Sequence, residues 1–444
     1  MSEQEAPAAA PAVNTGPLTD TETRAARRAA RRHGFIGFVF DYQERVRYDL
    51  IEVLCRTRYG TLYSANSTGL AVPQWRLKRY AISQWSASPR TTERTAAESV
   101  CAESDFALET VNNEFAIGAT IRRRLDDNFC LSSVVCASHR FFEPDRSFGT
   151  LVFPYVQTVT LESWLRYVQH RSMISWRSAL VRGGFRSLED LLQRIGELEE
   201  IRRKTAEERD FLRRYSELYD TLLERLSRIQ MKSLSIGYQL LNTFEELHEV
   251  AIYHRNVTPA NILIEQNGET LRVRVANFGF GCAESIDGDG VFDQQFPFLS
   301  CPTTYTPALM YRDPWIYNRR YPDDDLETRR EYTSAFEIYS LGKILQHLFD
   351  PESLADNGDD EWIVVQETEF MPYGVIDLIA DMTGEEQYVP PNRYYPYELS
   401  DDERAERAER FAERPEIEVV VDRFERIRRD WNNADPATAR SSTS

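Results

Sequence analysis

The sequence predicts a mixed α+β chain whose first third is rich in β-strand and whose longer remainder is helical. Three observations predict it. Tyr48–Leu54 alternates apolar and polar residues, and short β-branched or aromatic runs follow at Thr61–Ala65, Trp75–Ala81 and Thr150–Val156. Beyond Leu161, leucine and isoleucine recur at helical steps, as in Leu188, Leu191, Ile195 and Leu198. Inside this helical part, Asn267-Gly268 separates two short apolar runs, Ile262–Glu265 and Leu271–Ala276, and marks a hairpin.

Along the chain, residues 1–33 are rich in Ala, Pro and charge without periodicity and read as a disordered tail. Arg24–His33 is basic enough for a nuclear-targeting patch, or for a solvated helix start. Glu109–Leu125 has the spacing of a helix among the strands. Leu161–Val168 reads as a short helix, and Ser187 with Asp190 three residues on as a capping box. Residues 170–230 read as one or two helices with a charged face, broken near Lys204–Glu208. That face is an ordinary packing surface or a partner-binding one. Ser233–Glu249 reads as a clean amphipathic helix. Residues 384–413 are an acidic insert, and 431–444 a second disordered tail.

Composition narrows the function classes. The formal net charge is −18, which argues against nucleic acid as a partner. Six cysteines (Cys55, Cys101, Cys130, Cys136, Cys282, Cys301) lack CxxC spacing, so no metal or disulfide framework is expected. There is no apolar run of membrane-spanning length. An intracellular, cytoplasmic or nuclear, location is expected. His33, His139, His170, His248 and His347 stand isolated and read as structural or solvent-facing. The chain holds four lysines, Lys78, Lys204, Lys232 and Lys343, so a lysine in a motif is informative.

The central motif reads His254-Arg255-Asn256-Val257-Thr258-Pro259-Ala260-Asn261-Ile262-Leu263, followed after the hairpin by Asn277-Phe278-Gly279. This resembles the H-R-D-x-K-P-x-N-I-L catalytic loop and the D-F-G of eukaryotic protein kinases. Further landmarks follow the family's order. Cys55–Leu62 resembles the glycine-rich loop with Gly60 kept and Leu62 after it, and Arg76-Leu77-Lys78 the third-strand lysine motif. Glu114 matches that lysine's helical partner. Leu151–Val156 resembles the hinge strand, with Phe153 at the gatekeeper and Tyr155 and Val156 beside it. Glu337–Gly342 resembles the large C-lobe helix, with Glu for its usual Asp, and Arg414-Pro415 a late R-P. The resemblance implies a bilobal kinase-like fold, with a small β-rich N-lobe at 34–156 and a helical C-lobe at 157–430.

The departures concern chemistry. Asn256 stands at the position of the catalytic base, and a neutral amide has no useful basicity; losing a positioned base costs ~10² to 10⁴-fold. Asn277 stands where an Asp holds magnesium and offers one neutral oxygen. Thr258 replaces the loop lysine, Cys55 and Thr57 replace phosphate-approach glycines, and Ala308 replaces the glutamate of A-P-E. Lys78 and Asn261 are kept, so ATP remains an implied ligand, bound weakly or without magnesium, and a magnesium site at Asn261 and Asn277 is degraded. Arg255 can meet an acidic or phosphorylated activation segment, whose candidates include Glu284, Asp287, Asp289, Thr303 and Thr304. The resemblance thus implies a pseudokinase acting as scaffold or allosteric regulator, with protein partners at 170–230 and at 384–413. The alternative is a divergent active Ser/Thr kinase with a relocated acid such as Glu284 or Asp287.

Overall fold

The computed structural model describes residues 35–56, 60–67, 73–82, 96–125, 132–144, 147–186, 188–268, 270–283, 326–349, 372, 374–383 and 414–433. They form two compact units. One takes the described residues through Val111 together with Ala137–Tyr155; the other takes Asn112–Cys136 and the described residues from Val156 onward.

The first unit is a six-stranded antiparallel sheet. Its elements are β1 (Gly37–Asp41), β2 (Val46–Arg56), β3 (Gly60–Asn66) and β4 (Trp75–Ala81), then helix α1 (Ala96–Arg124), β5 (His139–Phe142) and β6 (Phe148–Pro154). The strand order is β1-β2-β3-β4-β6-β5. In a flat sheet β1 and β5 would lie five spacings apart, roughly 24 Å at ~4.8 Å each. Instead His139 on β5 lies 3.3 Å from the Asp41 carboxylate and 2.9 Å from the Tyr48 hydroxyl. The sheet therefore curls, and Val39, Tyr48, Leu50, Leu77, Phe141 and Val152 fill its concave side. Burial, with Asp41 and Glu44 nearby, pushes the Tyr48 phenol up to about 12. The expected alternation over Tyr48–Leu54 holds only in part. Register shifts after Leu50 and after Val53 carry Val53 and Leu54 to the exposed side. His139, expected to be isolated, is part of this edge contact.

The second unit contains the second half of α1, then β7 (Val159–Thr160) and α2 (Leu161–Trp164), which runs through a π turn (Leu165–Gln169) into α3 (His170–Arg182). It continues with α4 (Leu188–Glu200), α5 (Ala206–Glu249), β8 (Ile252–Tyr253), β9 (Ile262–Asn267), β10 (Thr270–Val275) and β11 (Cys282–Ala283). Helices α6 (Leu326–Phe349), α7 (Val375–Thr383) and α8 (Ile417–Asn433) complete it. The expected hairpin is β9–β10, paired from Ile262↔Val275 to Asn267↔Thr270, with Gly268 at φ +63°. Only Gly adopts that angle without a Cβ penalty. Its core gathers Phe244, Leu247, Phe278, Ile338, Leu341 and Phe424 around the inner half of α5.

The expected break near Lys204–Glu208 is present: α4 ends at Glu200 and α5 starts at Ala206. Thr205 Oγ1 accepts from the Glu208 amide at 3.2 Å, and the Glu208 carboxylate accepts from the Thr205 amide at 2.7 Å, a reciprocal cap. The expected helix Ser233–Glu249 is present as the inner part of α5, which runs unbroken from Ala206. The outer half of α5 packs with α3 and α4 around Trp176, Leu180, Leu191, Ile195, Tyr219 and Leu222, a cluster distinct from the main core. Ser187, residues 1–34 and 434–444, and the acidic stretch 384–413 lie outside the described residues; the first three residues of the tail expected at 431–444 instead end α8, where Trp431 packs against the core.

Candidate functional site

The site grows from the end of α5. After Glu249 the chain turns through Ala251, at φ +52°, into β8, and Arg255 takes φ +59°. A left-handed non-Gly residue costs ~1 kcal/mol or more and persists where its surroundings enforce it. Glu337 of α6 does so here. It is fully buried, its Oε1 accepts the Arg255 backbone N–H at 2.6 Å, and its Oε2 lies 2.6 Å from His248 Nε2. His248 is therefore not isolated as expected; it closes α5 against α6.

His254 is completely buried. Its Nδ1 accepts from the Asn256 amide at 3.2 Å and its Nε2 lies 2.8 Å from the Ala276 carbonyl. Those partners fix both ring roles: Nδ1 must carry the lone pair and Nε2 the proton, which makes the imidazole neutral. His254 is thus a bracket between the loop and the strand leading to Asn277. Thr258, in the position of the resemblance's lysine, is buried beside Pro259.

The three asparagines come together. Asn277 is left-handed, at φ +69° and ψ +54°, an angle Asn tolerates better than most residues. Its Nδ2 donates to Asn261 Oδ1 at 2.6 Å, and Asn261 Nδ2 donates to the Asn256 carbonyl at 2.8 Å. The Ala276 amide donates to the Asn261 carbonyl at 2.9 Å. The result is a chain of neutral amides holding loop and strand together. Asn256 Oδ1 is buried without a hydrogen-bond partner.

One contributor was not visible in the sequence. Asn113, buried on α1, donates from Nδ2 to both the Gly279 and Gly281 carbonyls at 2.9 Å and so braces the Asn277-Phe278-Gly279 turn from its far side. Arg255 Nη1 reaches the Phe280 carbonyl at 3.5 Å. The acidic and threonine candidates at 284–304 lie outside the described residues, as do Thr57 and Ala308. Arg414, whose partner the sequence left open, donates to the Ala335 and Thr383 carbonyls at 3.2 Å each and stacks over Tyr339.

Most of the remaining expected site residues belong to the first unit. Gly60, Leu62, Lys78 and Phe153 sit in the ladder of the sheet, with Leu62 opposite Lys78, Lys78 opposite Leu151, and Arg76 opposite Phe153. Lys78 Nζ lies 5.1 Å from the Tyr80 ring centre. Tyr155 continues the strand, its amide on the Gln74 carbonyl at 3.0 Å and its ring under Arg76. Glu114 is buried on α1 in the second unit, to which Val156 also belongs. Gly60 has a structural reason of its own: a Cβ there would overlap the Arg79 carbonyl.

Magnesium is the cation the resemblance implies, and the donor set does not suit it. Asn261 Oδ1 is engaged by the Asn277 amide, and both residues offer neutral oxygen where a hard dication favours carboxylate. Among the described residues no three His, Cys, Asp or Glu side chains cluster as metal ligands.

Residues 204–394 match the family model of the protein kinase domain. The match covers less than half of the 444 residues and includes the catalytic-like loop, the hairpin and Asn277. Among curated proteins, the chain is 26% identical over 133 residues to mitogen-activated protein kinase KSS1 of Saccharomyces cerevisiae, covering 29% of this chain and 32% of that one. It is 37% identical over 71 residues to the human phosphorylase b kinase gamma catalytic chain, liver/testis isoform, covering 16% and 17%. The chain spans a third or less of the length of these relatives. The PknI kinase domain of Mycobacterium tuberculosis aligns over 86% of this chain and 96% of its own, at 12% identity and a TM-score of 0.39. The chain is kinase-like in sequence through its helical half, and its fold is mixed α+β, with a curled antiparallel sheet and a helical C-terminal region. No helix among the described residues is long and apolar enough to cross a membrane.

Proposed function

We propose that this chain is a pseudokinase, a kinase-like protein that does not transfer phosphate efficiently and acts as a scaffold or allosteric regulator. The observation that carries this reading is the amide chain from Asn277 through Asn261 to the Asn256 carbonyl. The two residues expected to hold metal satisfy each other, and the residue at the base position is an amide. The loop geometry is kept by His254, Glu337 and Asn113, none of which supplies a base or an anionic ligand in its present role. Retention of Lys78 supports weak nucleotide binding that needs no magnesium.

Two measurements test it. In a thermal-shift titration, ATP at a hundredfold excess over its dissociation constant stabilises by ~2.7 kcal/mol. The expected result is a shift that is indifferent to magnesium and lost in Lys78→Ala. In a labelled phosphoryl-transfer assay the wild type is expected to be silent. Turnover that disappears in Asn256→Ala would establish an active, divergent Ser/Thr kinase and remove the pseudokinase reading.

A further inference from the structure

The helix running from α2 into α3 carries a surface that the kinase-like reading leaves unused. From Leu161 to Arg182 the backbone stays helical through the π turn. One side of it is buried: Trp164 and Leu165 enter the main core, and Trp176 and Leu180 the cluster shared with α4 and α5. That side is also pinned by hydrogen bonds. Trp176 Nε1–H donates to the Leu222 carbonyl at 2.9 Å, and Gln169 Nε2 donates to Ser233 Oγ at 2.6 Å and to the Leu348 carbonyl.

The opposite side is apolar and open. Tyr167, Val168, Ile174 and Val181 are 62, 39, 46 and 66% exposed. Ile174 and Val181 lie two turns apart on α3 and face the same way. Four of the twelve exposed large apolar side chains among the described residues thus lie on this one helix. Single exposed apolar residues need no explanation, whereas a gathering on one rigid face does.

Charge identifies the occupant. Residues 161–186 contain Arg166, Arg171, Arg177, Arg182 and Arg186 against Glu162 alone, in a chain of net charge −18. The neighbouring α4 is inverted, with Glu189, Asp190, Glu197, Glu199 and Glu200 against Arg194. An apolar stripe flanked by arginines complements a helix with apolar anchors and acidic flanks. A second copy presenting the same face would set arginine against arginine. An anionic bilayer is a wide plane that would also meet acidic α4 beside the stripe, whereas a single helix need cover only the stripe.

We propose that the outer face of α3 docks an acidic amphipathic helix of a partner protein. This rests on the scaffold reading above and supplies its surface and its partner chemistry. Because Trp176 and Gln169 hold the face in place beforehand, docking costs little ordering of this chain.

The test uses the full chain and a fluorescently labelled helical peptide with leucine at i, i+3, i+4 and i+7 and glutamate on the flanks, beside a twin with lysine for glutamate. The acidic peptide is expected to bind saturably and more weakly as salt rises. Ile174→Glu with Val181→Glu should lower its affinity roughly tenfold or more, as loss of central apolar anchors does. Arg171→Glu with Arg182→Glu should weaken the acidic peptide and strengthen the lysine twin, an exchange of preference that a merely sticky surface does not give. All these side chains are on the outside, and an unchanged melting temperature verifies that the variants fold. Absence of saturable binding, equal binding of both peptides, or indifference to the variants overturns the proposal. So does a concentration-dependent dimer, or binding to phosphatidylserine vesicles, that Val181→Glu abolishes. The phosphoryl-transfer assay reads Asn256 and shares no residue with this experiment, so either proposal can fail alone.

Discussion

Gly60 and Lys78 sit in a regular antiparallel ladder, each opposite a defined neighbour, whereas Asn256, Asn261 and Asn277 sit in irregular backbone tied by side chains. The ladder needs Gly60 whether or not a nucleotide ever binds, because a Cβ would overlap the Arg79 carbonyl. Retention of that motif glycine therefore reports the fold. In the helical unit the reverse holds. Two residues near the motif, Arg255 and Asn277, keep left-handed angles that a plain loop would relax. Glu337 and the amide chain hold them there. The strained backbone is present with Asn at both positions where the resembling family carries Asp. Hydrogen bonds from Glu337, Asn113 and the amide chain hold its shape.

The largest expected effect tests those hydrogen bonds. Glu337→Ala leaves the Arg255 amide and His248 without their buried acceptor. Each orphaned buried partner costs about 1–3 kcal/mol, so a loss of about 3 kcal/mol or more is expected in urea unfolding. A change below 1 kcal/mol would mean that the left-handed turn is held by something else. In the sheet, Gly60→Ala should cost about 2 kcal/mol by forcing β3 and β4 apart, with Lys78 displaced alongside. If Gly60→Ala is neutral, the glycine is available for a ligand role after all and the contrast between the units weakens.

Acid provides a third probe, confined to the helical unit. Burial, with Lys343 nearby, lowers His347 from the usual histidine value near 6.5 to about 3. The unfolded chain therefore takes up a proton that the folded chain refuses. The stability this group contributes is complete above pH 6.5 and is lost as pH falls towards 3. His347→Gln should flatten the decline of the melting temperature over that window, by ~1.4 kcal/mol for each tenfold difference in proton affinity between the folded and unfolded chain. An unchanged slope would place acid sensitivity elsewhere.

Much of this was legible in sequence, and what was not has a common physical cause. The β9–β10 hairpin was readable because Asn-Gly fixes its own turn, and β3 and β4 because their patterns are local. The contact between sheet edges at Asp41, Tyr48 and His139 was not, since curling is a property of the whole sheet. His248 looked isolated because its partner Glu337 lies 89 residues away, and Asn113 passed unnoticed because its acceptors are carbonyls more than 160 residues on. The position of Asn256, Asn261 and Asn277 in one site was expected from the motif. That their amides bond to one another was not, because a motif gives positions and no rotamers.

The smallest effect is the sharpest test. Asn277→Asp replaces the amide that donates to Asn261 Oδ1 with a carboxylate, so two oxygens face each other at a separation that was 2.6 Å. Asn261 cannot relieve this by turning its amide over, because its Nδ2 is committed to the Asn256 carbonyl. In chelator the variant should lose about 1–2 kcal/mol, one hydrogen bond and the accompanying oxygen contact. Magnesium should restore that loss, since a carboxylate and an amide oxygen side by side are hard donors. The wild type should not respond to magnesium in the same titration. A wild type as magnesium-sensitive as the variant would show that the amide pair opens readily, and the helical unit would then hold a metal-ready site that the hydrogen bonds only mask. If instead neither protein responds, the backbone at Asn277 has left the ligating position. The backbone at φ +69° and ψ +54°, rather than the side chain, would then be what keeps magnesium from this position.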